Sequence, residues 1–159
     1  MTLALGIDPG IATTGYGLVR LEPDGGLVAV AFGVILTPKD SSAPARLEML
    51  YNEMRGLLTL HRPDMAAVEK LFFQHNVSTA MAVGQARGVI MLALQQAGIE
   101  PFEYTPNEVK QAVAGYGSAD KRQVQDMVRA LLGLESIPKP DDAADALAIA
   151  ITHLNTKRY

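Results

Sequence analysis

Two short apolar runs in this chain of 159 residues each end in a carboxylate: residues 3–7 lead into Asp8, and residues 65–68 lead into Glu69. Apolar runs of this length, bounded by turn signals such as Pro9-Gly10 and Arg62-Pro63, read as buried strands. A carboxylate at the end of a buried strand loses hydration, and the fold must supply cations or hydrogen-bond donors to offset the loss. An Asp before Pro-Gly is also an ordinary way to open a turn, so residues 1–10 alone leave both readings of Asp8 open.

The segments around these runs define the rest of the fold. Residues 13–21 and 27–36 flank the turn signal Pro23-Asp24-Gly25-Gly26, and with the first run they read as an antiparallel meander of three strands. Leu47, Leu50, Tyr51, Met54, Leu57 and Leu58 recur at helical spacing, in a helix entered near Ser42 and Pro44 and ended near His61. After Glu69, a helix is expected over residues 77–97, with Ala82, Gly84, Ala86 and Gly88 in its interior. Glycine inside a helix costs roughly 1 kcal/mol relative to Ala, so Gly84 and Gly88 imply close packing against another backbone, either the sheet or a second subunit.

Residues 100–104 make a fifth strand. The string Thr105-Pro106-Asn107-Glu108 carries a capping-box pattern that opens a helix reaching about Val113. Gly115-Tyr116-Gly117-Ser118 interrupts it, and Val124, Met127, Val128, Leu131 and Leu132 mark a further helix closed by Gly133. Pro138-Lys139-Pro140 imposes an extended segment before a last helix over residues 141–154. This order predicts one α/β domain spanning residues 1–159, a five-stranded mixed sheet flanked by helices.

The absence of cysteine excludes disulfides, thiolate metal sites and Cys nucleophiles. Carboxylates, three histidines and backbone groups remain as metal ligands, a set that favours hard cations such as magnesium or manganese. A net charge of −3 argues against a nucleic-acid partner only weakly, because two divalent ions held by four acids would turn the balance slightly positive. The chain shows no run of about eighteen uninterrupted apolar residues and no signal-peptide pattern, so a soluble, cytoplasmic protein without a membrane anchor is expected.

The last helix opens with Asp141, Asp142 and Asp145. Each alone suits a helix N-terminus, where an acid gains about 0.3 to 1 kcal/mol against the macrodipole. Asp142 and Asp145, however, stand three residues apart and project from one face of a helix. Together with Asp8 and Glu69 they make four acids in apolar settings. Such a cluster is stable in ionised form only with cations among its members. Two divalent ions would satisfy it and stabilise both the attacking and the leaving oxygens of a phosphodiester displacement, so hydrolysis of a phosphodiester suits this constellation best.

The chain closely resembles the RuvC family of Holliday-junction resolvases. The resemblance is carried by Gly6-Ile7-Asp8-Pro9-Gly10 with Thr14-Gly15-Tyr16-Gly17, by Glu69 followed by Phe72, and by Gly84-Gln85-Ala86-Arg87-Gly88. It continues through Val109-Lys110-Gln111, Gly117-Ser118-Ala119 before Lys121, and residues 142–150. It implies a ribonuclease-H-like fold and a homodimer that nicks two strands of a four-way DNA junction symmetrically, as a crossover junction endodeoxyribonuclease. It also implies Mg2+ at two ions per active site, with Mn2+ a plausible substitute, and RuvA and RuvB as branch-migration partners. The metal-binding acids of the family fall on Asp8, Glu69, Asp142 and Asp145. Lys110 and Lys121 match basic positions near the scissile strands, with Arg122 and Arg129 further candidates on the same helix as Lys121. Phe72 matches an aromatic that probes bases at the junction centre; Phe73 is a second candidate, and core packing is the other reading of both. Asp141 lies outside the match and reads as a helix-start residue. Residues 8–15 also resemble the first phosphate-binding turn of actin- and hexokinase-type ATPases, but those folds enclose a nucleotide between two such cores and this chain holds one.

Overall fold

The computed structural model describes residues 1–70 and 77–156. Three strands lead the chain, β1 (Thr2–Asp8), β2 (Thr13–Leu21) and β3 (Leu27–Leu36). They are followed by α1 (Ala43–His61), β4 (Met65–Glu69), α2 (Val77–Gln96) and β5 (Phe102–Tyr104). The chain then runs through α3 (Pro106–Ala114), α4 (Lys121–Leu132) and α5 (Asp141–Thr156). The sheet has the order β3-β2-β1-β4-β5. β1 pairs antiparallel with β2 and parallel with β4, β2 pairs antiparallel with β3, and β4 pairs parallel with β5. This is the mixed five-stranded sheet that the order of runs predicts.

Alternation along the strands divides the core into two layers. Leu5, Ile7, Leu18, Ala66 and Val68 pack against α1 and α2 through Leu50, Met54, Leu58, Ala86, Ile90 and Leu94. Ala4, Val19 and Ala67 point the other way and meet α3, α4 and α5 through Val109, Val113, Val128, Leu132 and Leu147. Asp8 and Glu69 have the parity of Ala4 and Ala67, which sends them to the α5 side.

Local signals explain most boundaries. Ser42 caps α1 by accepting from the Ala45 amide, and Pro44 sits in the first turn. Thr105 and Glu108 form the reciprocal capping box of α3. α4 starts at Lys121, ahead of the apolar pattern that begins at Val124, because Asp120 and Gln123 form a second capping box. β5 is shorter than expected: its ladder starts with Phe102 opposite Ala67, immediately after Pro101, which has no amide hydrogen to donate.

Of the two neighbours expected for the glycines of α2, the sheet is excluded and the second subunit remains. A Cβ added at Gly84 or Gly88 would meet nothing within 4 Å among the described residues, so the sheet is not the backbone that they approach. α2 buries Ala86, Ile90, Ala93 and Leu94, whereas Val77, Met81 and Leu92 are exposed. Among the described residues it is also the one helix long and apolar enough to cross a membrane by length and composition.

Candidate metal centre and nucleic-acid interface

The acids converge because of glycines in β1 and β2. A Cβ on Gly6 would lie 2.0 Å from the Ala146 carbonyl oxygen, and one on Gly15 would lie 2.0 Å from that of Asp142. Side chains at these positions would hold α5 off the sheet. With glycine there, the first turns of α5 rest directly on β1 and β2, and Asp142 and Asp145 reach the end of β1. Asp8 pairs with Gly15 across the antiparallel ladder. The parallel register of Ile7 with Val68 brings Glu69 alongside Asp8.

The carboxylate oxygens of Asp8, Asp142 and Asp145 approach to within 4.8 Å of one another; Glu69 stands outside that close group but near enough to Asp8 to act on its ionisation. Burial pushes the Asp8 carboxyl up to about 9, helped by the neighbouring Glu69 carboxyl and by the charges of Asp145 and Asp142. Burial likewise raises Asp145 to about 6; Lys121 opposes the shift, while Glu69, Asp142 and Asp141 add to it. A metal-free cluster of this kind holds protons at neutral pH that a divalent cation would displace. Its hard oxygen donors and close spacing fit such an ion.

The surrounding network holds the strand ends in place. Thr14 donates its hydroxyl to the Gly10 carbonyl and accepts from the Gly10 amide at 3.3 Å. Thr37 donates to the Ile11 carbonyl, its amide reaches the Ala12 carbonyl at 3.1 Å, and Arg46 Nε donates to its hydroxyl at 3.0 Å. The turn after Asp8 is thereby braced from β2, from the segment after β3 and from α1. Arg87 of α2 donates to the Glu69 carbonyl oxygen and pairs with Glu103. Sequence reasoning singled out none of Thr37, Arg46 and Arg87 for this role. Arg87 lies in the run Gly84-Gln85-Ala86-Arg87-Gly88, but its target is 18 residues away and no local spacing reveals it.

An open cavity of about 280 Å³ adjoins the acids. Its lining includes Glu69 and Asp145 together with Lys110 from α3 and Lys121 from α4, so both lysines singled out in the sequence face the acids. Arg122 does not line it. It pairs with Asp126 at 3.4 Å and faces a separate groove with Phe32 and Arg129. Asp141 is the first residue of α5, as expected of a helix-start acid, and also lies 3.2 Å from Lys121. Lys121 holds the Asp141 carboxyl below its usual range, and Asp141 raises Lys121. Phe72, Phe73, His75 and Asn76 lie outside the described residues.

Residues 4–153 match the family model described as crossover junction endodeoxyribonuclease RuvC. The chain belongs to the RuvC family. A RuvC family member from Chloroflexus aggregans, a crossover junction endodeoxyribonuclease, is 60% identical over 96% of this chain and 93% of its own length. The RuvC structure from Thermus thermophilus superposes with a TM-score of 0.93 at 38% identity, covering 99% of this chain and 96% of that one. A second RuvC structure from T. thermophilus, in complex with a Holliday junction substrate, gives a TM-score of 0.91 at 36% identity with the same coverage. The ribonuclease-H-like architecture implied by the resemblance is therefore the fold of this RuvC family member.

Proposed function

We propose that this chain is a metal-dependent endonuclease that resolves four-way DNA junctions by paired, symmetrical nicks in recombination and repair. The observation that carries the reading is the meeting of Asp8, Asp142 and Asp145 at one point, with Glu69 near Asp8, beside a cavity lined by Lys110 and Lys121.

Asp8, Glu69, Asp142 and Asp145 would hold two divalent ions, magnesium or manganese, in one domain spanning residues 1–159. When bound, the ions supply Lewis acidity to the scissile phosphate and to the water that attacks it. The protein's own groups do the rest. Gly6 and Gly15 let α5 bring its two acids to Asp8, and Arg87 fixes the end of β4 that carries Glu69. Lys110 and Lys121 would hold phosphate oxygens and so position the strand without reading its sequence. Arg122, turned toward another groove, would contact a more distant part of the substrate, and Phe72 and Phe73 would meet bases at the junction centre.

Two symmetrical nicks call for two active sites, which a homodimer related by a two-fold axis supplies. The apolar face of α2 that the described residues leave uncovered, with Gly84 and Gly88, suits a second copy of this chain. RuvA and RuvB would be the branch-migration partners, in the cytoplasm.

The test is incubation with a synthetic four-way junction and with linear duplex, each in magnesium and in a chelator. Paired nicks should form on the junction alone and disappear on chelation. Asp8→Asn and Glu69→Gln should each lower nicking by at least about a hundred-fold while junction binding persists. Undiminished cleavage by either variant would remove the metal mechanism.

A further inference from the structure

The pair formed by Lys121 and Asp141 is not explained by the acid cluster itself. Asp141 stands one residue before a proposed metal ligand, at the start of α5, yet its carboxylate turns toward α4. Its Oδ2 lies 3.2 Å from Lys121 Nζ, and its Oδ1 accepts from Gln125 Nε2, also at 3.2 Å. Lys121 and Gln125 are one helical turn apart and share a face of α4. One carboxylate thus receives two side chains from the same face and ties the start of α4 to the start of α5. Lys121 at the same time lines the cavity that contains Glu69 and Asp145.

We propose that Asp141 is a positioning residue. Together with Gln125 it fixes the Lys121 ammonium at the mouth of the acid cavity, where that ammonium meets an oxygen of the scissile phosphate. The inference rests on the junction-nicking reading and deepens it. A lysine ammonium has three hydrogens to donate, and spending one on Asp141 leaves two for the phosphate. An unanchored lysine is a flexible four-carbon chain that must be ordered each time substrate arrives. The pair is solvent-exposed, with 58% and 63% of the two side chains accessible. Such a contact contributes little to folding and can share its ammonium with an arriving phosphate. If Asp141 served only the helix macrodipole, its removal would change stability slightly and leave the nicking rate alone.

Single-turnover nicking of a synthetic four-way junction in magnesium, with junction binding titrated separately in chelator, distinguishes these roles. Asp141→Ala should slow nicking about three- to ten-fold and leave the junction Kd within about two-fold. Asp141→Asn should recover most of that loss: its amide oxygen still accepts from Lys121, and its amide nitrogen can donate to Gln125 once the Gln125 amide turns over. In a Lys121→Ala background, Asp141→Ala should cause no further slowing. Equal losses in the Asn and Ala variants, faster nicking by Asp141→Ala, or a full independent loss in the Lys121→Ala background would each overturn the proposal. So would wild-type nicking by Asp141→Ala. Failure of the unsubstituted protein to nick the junction would instead overturn the junction reading itself.

Discussion

α5 and α2 are both apolar and rich in small residues, and they lie on opposite faces of one sheet with opposite fates. α5 is buried at Ala143, at Ala144 and at every position from 146 to 154, and Gly6 and Gly15 in the strands beneath admit its backbone to near contact. α2 buries four residues, its glycines meet none of the described residues, and Val77 and Met81 stand 76% and 61% exposed. Small residues permit close approach but do not name the partner. On the α5 side the partner is the chain's own sheet, and this contact delivers two acids to the proposed metal site. On the α2 side the described residues supply no such partner, and in the proposed dimer a second copy of the chain would take that place.

Alanine at a glycine beneath α5 should have the largest effect. Gly15→Ala would put a Cβ 2.0 Å from the backbone oxygen of Asp142, which no side-chain adjustment relieves. The start of α5 must move or the fold must loosen, at a loss of about 3 kcal/mol or more. Chemical denaturation should show that loss. Nicking should fall with it even under conditions where the variant stays folded, because Asp142 moves away from Asp8. A variant as stable as the parent would mean that α5 is not pinned to β2 in this way.

Much of the molecule can be read in the sequence. The bounds of β2, β3 and α1 follow from turn signals, the Ser42 cap and helical spacing. The four acids stand out because two end apolar runs and two share a helix face. Other features need the third dimension. The role of Gly6 and Gly15 appears only once α5 is laid across them, since a glycine in a strand run does not reveal which backbone it admits. The attachment of Lys121 to Asp141 joins residues twenty positions apart, and the direction of Arg122 depends on how α4 is rolled on α5. The start of α4 is legible in Asp120 and Gln123, a capping pair that stands ahead of the apolar spacing.

The α5 side should also carry the pH dependence that α2, which has no acidic residue, cannot have. Asp8 and Asp145 are raised from 3.8 to about 9 and about 6 in the folded protein. Between 3.8 and those values the folded state binds more protons than the unfolded one, so metal-free stability falls as pH rises. It is fully present below 3.8 and is lost through 6 and then 9. Thermal melting in chelator should therefore decline by several degrees from pH 5 to pH 9, each kcal/mol moving the midpoint by about 2 to 4 °C. Magnesium or manganese, displacing those protons, should stabilise the protein more at pH 8.5 than at pH 6. A midpoint in chelator that is flat or rises over this interval would contradict the protonated cluster.

The smallest effect, and the one of opposite sign, belongs to α2. Gly84→Ala adds a Cβ that meets nothing within 4 Å among the described residues and removes the conformational freedom that glycine gives the unfolded chain. In the separated subunit it should therefore stabilise by about 0.5 to 1 kcal/mol, where Gly15→Ala destabilises by several times as much. In the proposed dimer the same methyl group would enter the surface that receives the second copy. Denaturation at dilute, monomeric concentration should show the gain, and sedimentation at micromolar concentration should show weaker self-association. If Gly84→Ala leaves self-association untouched, the second copy does not approach α2 at this glycine, and the two small-residue faces differ in more than the identity of their partners.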